Sequence, residues 1–233
     1  MDEEAQAAAA RLVRRLKGGY TVTIAESCTG GLLASTLTDI AGASAWFKQS
    51  WVTYSYEAKI QELDVSRELL EKKGAVSAEV AIQMAQGALA RANADIAISI
   101  TGIAGPGNDG TTKKIGYVYV GIASKTWAIA EATQIGGNRQ ENKEGFVDFA
   151  LLTAIRHWDQ AMELAESNQL KDLEEREARA RENALAEIER NKRAAAAAEE
   201  TAWQSQTWSG ENRGSNDNGI DIDVHWDEES QED

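Results

Sequence analysis

The supply of side chains that can build a core all but ends at residue 158. Between Glu166 and Glu200 the only long apolar side chains are Leu170, Leu173, Leu185 and Ile188. A segment with so little apolar surface cannot offset the entropy of folding into a compact body. Charge changes at the same place. Residues 1–158 carry 16 Lys+Arg against 17 Asp+Glu, residues 159–202 carry 7 against 12, and residues 203–233 carry 1 against 9, so the formal charge of −14 belongs to the C-terminal third. Three parts are expected: a folded domain over 1–158, a charged solvated helix over 159–202, and an acidic disordered tail over 203–233. Asp172/Arg176, Glu175/Arg179, Glu177/Arg181 and Glu189/Arg193 place an acid four residues before a base and support the helix. Its apolar positions are too sparse for a regular heptad seam.

The same arithmetic excludes several classes of function. A phosphate backbone needs a basic footprint, which a nearly neutral domain with an acidic tail does not offer, so no nucleic acid is expected as partner. No apolar run approaches the ~18 residues of a membrane span, and the N-terminus lacks a basic region followed by an apolar stretch. A cytoplasmic protein with no membrane partner is expected. Cys28 is the only cysteine and His157 and His225 the only histidines, so neither a disulfide nor a Cys/His metal site is expected. In the tail, Gly214 to Gly219 imitates part of a calcium loop without an acid at its first position, and calcium is discounted.

Hydrophobic periodicity lays out the domain. Residues 4–17 read as an amphipathic helix stopped by Gly18-Gly19, and 21–25 as a short β-branched strand that runs into Glu26-Ser27-Cys28-Thr29-Gly30-Gly31 before a helical period resumes. Residues 51–56 read as a second strand, 57–63 and 66–73 as short helices, and Ser77 opens a longer one. Residues 95–101 form a strand feeding a glycine-rich loop from Gly102. Residues 115–123 and 126–134 form a hairpin, and a helix over 140–158 closes the domain. Strands alternating with helices, followed by a hairpin, favour a three-layer α/β/α sandwich on a mixed sheet.

Several residues could carry chemistry. Ser27, where a strand meets a Gly-rich helix start, suits a nucleophile beside outward-pointing N–H groups, an N-cap, or an anion-binding turn. With histidines so poorly supplied, a serine would need another base, and Lys59 near Tyr54 is the obvious substitute. A surface lysine is the plainer reading. The loop Gly102-Ile103-Ala104-Gly105-Pro106-Gly107 matches neither standard phosphate fingerprint, yet it can cradle an anion or simply turn the chain. Arg139 is a candidate phosphate fork.

Taken together, Ala25-Glu26-Ser27-Cys28-Thr29-Gly30-Gly31, Val52-Thr53-Tyr54-Ser55 with Glu57-Ala58-Lys59, Gly74-Ala75-Val76-Ser77 and Thr101-Gly102-Ile103-Ala104-Gly105-Pro106 resemble the CinA C-terminal-domain family. The resemblance spans about residues 5–158. It implies a three-layer α/β/α sandwich on a mixed five-stranded sheet and a nicotinamide-nucleotide amidase, which hydrolyses the carboxamide of nicotinamide mononucleotide without a cofactor. It further implies Ser27, Tyr54 and Lys59 as the catalytic set, with N–H groups at Thr29, Gly30 and Gly31 around the oxyanion. Gly102, Ala104, Gly105 and Arg139 would hold the nucleotide. The chain departs from the family pattern at Lys113-Lys114-Ile115-Gly116, which lacks a proline, and at Lys143, where a second arginine is usual. If those basic residues grip the phosphate, a lysine loses bidentate geometry there. A homo-oligomer is expected, and the tail with Trp203, Trp208 and Trp226 offers itself to a protein partner. The alternative reading is a non-catalytic nucleotide-binding or interaction module on the same fold.

Overall fold

The computed structural model describes residues 3–108 and 112–208. Its first 134 residues hold α1 (Glu3–Leu16), β1 (Val22–Glu26), α2 (Leu32–Thr38), β2 (Phe47–Val52), α3 (Tyr56–Leu63), α4 (Arg67–Lys73), α5 (Ala78–Ala92), β3 (Ile96–Gly102), β4 (Tyr117–Ser124) and β5 (Ala128–Gln134), followed by α6 (Arg139–Trp208). The sheet runs in the order β2-β1-β3-β4-β5. β1 pairs parallel with β2 and with β3, while β3–β4 and β4–β5 are antiparallel, so the sheet is mixed and five-stranded.

Strand alternation sorts the sheet's two faces by size. Val22 and Ile24 of β1, Ile96, Ile98 and Ile100 of β3, and Val118, Val120 and Ile122 of β4 pack with α1, α2 and the first turns of α6. On the other face stand Ala25, Ala97 and Ala123, packed with α3, α4 and α5. This is the three-layer sandwich. The small face lets α5 approach the sheet closely: a Cβ on Gly121 would lie 2.3 Å from Ala81 O, and Ser99 Oγ donates to that same carbonyl at 2.6 Å.

Of the boundaries that differ from the sequence expectation, two have a clear local cause. The second strand is Phe47–Val52 rather than 51–56, because Ser55 is an N-cap whose Oγ accepts Ala58 N–H, and Tyr56 already belongs to α3. As an edge strand with Lys48 and Gln49 exposed, β2 carries too little apolar patterning to be read at its start. The hairpin begins at Tyr117 rather than at 115, since Gly116 takes a positive φ of 85°, which a strand residue does not adopt.

The parallel strands β1, β2 and β3 all deliver their chains to one edge of the sheet. On either side of β1 the chain departs in opposite directions, to β2 and to β3, and this switch in strand order opens a crevice beyond the strand ends.

The chain divides into two compact units, Met1–Asn168 and Gln169–Asp233. In the first unit, Arg15 of α1 makes a bidentate pair with Asp159, both bonds at 2.6 Å, and Trp158 packs edge-on against Tyr20 at 4.7 Å between ring centroids. Residues 159–202, expected as a charged helix, lie within α6. From Gln169 to Trp203 every described residue is exposed, with Glu175–Arg179, Glu177–Arg181 and Glu189–Arg193 paired along the helix. Helix also covers 203–208, where disorder was expected, because the polar but Gly-free run from Trp203 to Trp208 does not break it. The rest of the acidic tail, Trp226 included, lies outside the described residues. No helix among the described residues is long and apolar enough to cross a membrane.

Ending the chain after residue 168 is therefore expected to leave thermal stability within a few degrees of the full chain. Ending it after 158 removes the partner of Arg15 and is expected to lower Tm by roughly 2–8 °C, the equivalent of about 1–2 kcal/mol, in a differential scanning comparison.

Candidate active site

Ser27 follows β1 directly. Its own N–H donates to Ile100 O of β3 at 3.0 Å, which carries the ladder one residue past the strand and fixes the side chain at the crevice. The next turn reverses through Gly30 and Gly31, at φ of 66° and 97°, into α2. The start of α2 is closed by Glu26, the fully buried last residue of β1. Its carboxylate accepts the N–H groups of Gly31 at 3.0 Å, Leu33 at 3.2 Å and Ala34 at 2.8 Å. A carboxylate at a helix N-terminus satisfies orphan donors and complements the dipole. Here it also ties strand, turn and helix into one rigid unit around Ser27.

Lys59 comes from α3. The Ser55 cap starts that helix so that Lys59 points back under Ser27, and the side chain is fully buried. Its Nζ lies 3.0 Å from Ser27 Oγ, 2.6 Å from Thr53 O and 3.3 Å from Tyr54 O. All three partners are neutral. Burial without a carboxylate disfavours the cation, and the lysine pKa falls from its usual 10.5 to about 8. As an ammonium, Nζ donates to all three oxygens. As a neutral amine it has two N–H groups for the two carbonyls and one lone pair, which then accepts the Ser27 hydroxyl proton.

Above the pair lies a cavity of about 460 Å³ lined by Ser27, Cys28, Tyr54, Tyr56, Ala75–Val76, Thr101–Gly107 and Arg139. The cavity brings together Ser27, Tyr54, Gly102, Ala104, Gly105 and Arg139 of the residues singled out in the sequence, with Lys59 behind Ser27. Tyr54 stands in the loop after β2, not at the strand end, and its side chain is exposed. Its hydroxyl accepts from Arg139 Nη2 at 3.0 Å, while Arg139 Nη1 donates to Gly105 O. The turn residues behave differently. Thr29, Gly30 and Gly31 do not line the cavity; Gly30 N–H is bonded to Ser27 O at 3.1 Å and Gly31 N–H to Glu26. Those two N–H groups are therefore not open to an oxyanion. Burial pushes the Cys28 thiol up to about 11, so it stays protonated at neutral pH beside the serine.

Sequence reasoning quoted Glu26 and the wall residues Ala75, Val76 and Thr101 within motifs but gave none of them, nor Tyr56, a role in the site. The wall is built by backbone: Tyr56 Oη accepts Ala75 N–H at 3.2 Å and Thr101 Oγ1 donates to Ala75 O at 2.8 Å. The available signal for Glu26 was an acid ending an otherwise apolar strand just before a glycine turn and a helix.

The sequence model of the CinA C-terminal domain matches residues 5–157. The chain belongs to the CinA C-terminal domain family. A nicotinamide-nucleotide amidohydrolase PncC of Enterobacter agglomerans is 47% identical over 141 residues, covering 60% of this chain and 86% of that protein. A CinA-like protein of Chlorobium limicola is 49% identical over 143 residues, 59% of this chain but 33% of that one, so the chain spans a third of the longer relatives. Among solved structures, the competence/damage inducible protein CihA of Agrobacterium tumefaciens superposes with a TM-score of 0.64 at 38% identity, covering 67% of this chain and 98% of that one. A CinA superfamily protein of Klebsiella pneumoniae gives a TM-score of 0.62 at 35% identity, over 66% and 99% of the two chains. Every residue of the cavity falls inside the CinA match, and α6 beyond residue 157 falls outside it.

In this CinA domain the Glu26 cap is the most demanding polar contact of the site. Glu26→Gln replaces one acceptor oxygen with an NH₂ group facing backbone donors. It is expected to destabilise the fold by about 1–3 kcal/mol in urea unfolding, whereas Ser27→Ala, which leaves the cap intact, is expected to cost under about 1 kcal/mol.

Proposed function

We propose that this CinA-family chain is an amidase that hydrolyses the carboxamide of nicotinamide mononucleotide to nicotinate mononucleotide and ammonia. Ser27 is the nucleophile, Lys59 its base and Tyr54 a proton donor. The observation that carries this reading is the buried Lys59 Nζ at 3.0 Å from Ser27 Oγ, with no acidic partner among the described residues to hold its charge. The name of the 47% identical Enterobacter relative supports the substrate.

Neutral Lys59 takes the Ser27 proton as Oγ adds to the carboxamide carbon. The oxygen of that carbonyl becomes an oxyanion, for which the N–H of cavity-lining Cys28 is the donor this reading assigns, since Thr29 lies off the cavity and the Gly30 and Gly31 N–H groups are already bonded. The Tyr54 oxygen accepts from Arg139, so the phenolic O–H is directed elsewhere and serves as the donor. That proton goes to the departing nitrogen as the C–N bond breaks, releasing ammonia and leaving the acyl group as an ester on Ser27. The proton held by Lys59 then restores Tyr54. Water, deprotonated by Lys59, adds to the ester, and Ser27 leaves with the proton that Lys59 has taken. The cycle balances without a cofactor.

The sign of the pH dependence follows from the lysine. Its pKa is lowered, and the neutral form is the active one, so activity is absent at low pH and appears as pH rises through that pKa. kcat/KM for ammonia release is expected to rise about tenfold per pH unit below about 8 and to level off above it. Lys59→Arg keeps a charge that cannot be given up, and should be as inactive as Lys59→Ala, with Ser27→Ala also down by about 10³-fold or more. Substantial turnover by the arginine variant would remove Lys59 from the role of base.

A further inference from the structure

The wall of the pocket opposite Ser27 depends on one buried amide. Asn142 lies on the first turn of α6, fully buried, and its Nδ2 donates to Ala104 O and to Gly137 O, each at 3.1 Å. Ala104 immediately precedes Gly105, and Gly137 lies two residues before Arg139. Arg139 closes a second tie by donating to Gly105 O. One side chain thus sets the positions of both the loop after β3 and the loop before α6.

The consequence lies in the Ala104–Gly105 peptide. It is trans, so its N–H points opposite to its C=O. With the carbonyl turned inward to Asn142, the Gly105 N–H turns outward, on a residue that lines the cavity. Among the described residues no protein acceptor takes that N–H. The start of α6 is itself closed: Asn138 Oδ1 accepts the N–H groups of Gln140 at 2.9 Å and Glu141 at 3.2 Å, and Glu141 Oε2 accepts Asn138 N–H at 2.8 Å. This reciprocal capping box leaves the helix terminus occupied. The outward loop amide on this wall lies beside the Arg139 guanidinium, which is anchored on Gly105 O and Tyr54 Oη.

We propose that Asn142 is a positioning residue for an anion-binding edge of the pocket. It holds the Ala104–Gly105 peptide and Arg139 so that the Gly105 N–H and the guanidinium together grip the phosphate of a nucleotide substrate. The proposal rests on the amidase reading for its kinetic test. The Asn142 side chain bonds neither Ser27 nor Lys59, so its loss acts on recognition of the phosphate and leaves the pH dependence set by Lys59 in place, while kcat can fall through the Arg139–Tyr54 contact. Its Oδ1 has no hydrogen-bond partner. Its contribution is therefore the two N–H donors, which Asn142→Asp removes at constant shape.

The test compares the intact chain with Asn142→Asp and Asn142→Ala, using nicotinamide mononucleotide and the phosphate-free riboside. In either folded variant, KM for the mononucleotide is expected to rise about tenfold or more, the scale of a lost charge-assisted contact, while KM for the riboside and the pH profile of kcat stay put. Equal losses on both substrates, or an unchanged preference for the mononucleotide, overturn the proposal. A second arm needs no variant and no turnover: inorganic phosphate is titrated into the labelled full chain and the Gly105 amide resonance is followed. A saturable shift supports the edge, and its absence overturns it. Should the chain hydrolyse neither substrate, the amidase reading fails, while the phosphate arm still decides the role of Gly105.

Discussion

A lysine with no acid to pair with governs this site. Lys59 is fully buried against two carbonyls and a serine hydroxyl, and every one of those partners is neutral. The shift from 10.5 to about 8 amounts to roughly 3 kcal/mol in favour of the uncharged amine. Leaving a carboxylate out of reach turns a structural cation into a proton acceptor. Had Glu26 pointed at Lys59, the pair would have been an inert buried salt bridge. Glu26 instead turns away to close α2, and the two ionisable side chains adjoining Ser27 serve separate ends.

The rest of the fold serves that separation. Parallel pairing of β1 with β2 and β3 brings Ser27, the Thr53 and Tyr54 carbonyls and the Gly102–Gly107 loop to one edge of the sheet. The residue sizes on the two faces set how near the helices come. Small side chains beneath α5 admit it closely enough for a strand hydroxyl to reach a helix carbonyl, which anchors the start of α5 beside the wall at Ala75 and Val76. The other face, filled by isoleucine and valine, carries α1, α2 and the first turns of α6, from which Arg139 and Asn142 arise.

Much of this was legible in the sequence, because the elements that matter most announce themselves locally. The strand, glycine turn and helix around Ser27, the helix start at Ser77, and the break between the two short helices near Asp64 all rest on short-range rules. Ser27, Tyr54 and Lys59 were singled out by type and by likeness to CinA domains. What the sequence hid was which side chains fold back onto, or reach across to, particular backbone groups. The turn after Ser27 reads as an open anion site until Glu26, five residues ahead of Gly31, folds back and takes its donors. Asn142 reads as one polar residue among several on a helix start, and only the approach of two loops from different parts of the chain gives it a task. The second strand was misplaced for a related reason: an edge strand is defined by its partner more than by its own pattern.

The central claim is that burial makes Lys59 give up its proton far more readily than an ordinary lysine, and it can be read without reference to any substrate. Selective labelling of the lysine side chains, with Lys59 assigned by its loss in Lys59→Arg, allows the amine to be titrated directly by NMR in the full chain. The account predicts a titration midpoint near 8, well below the 10.5 of an ordinary lysine. A midpoint at the ordinary value would show that its surroundings do not loosen the Lys59 proton, and would contradict its assignment as the base that activates Ser27.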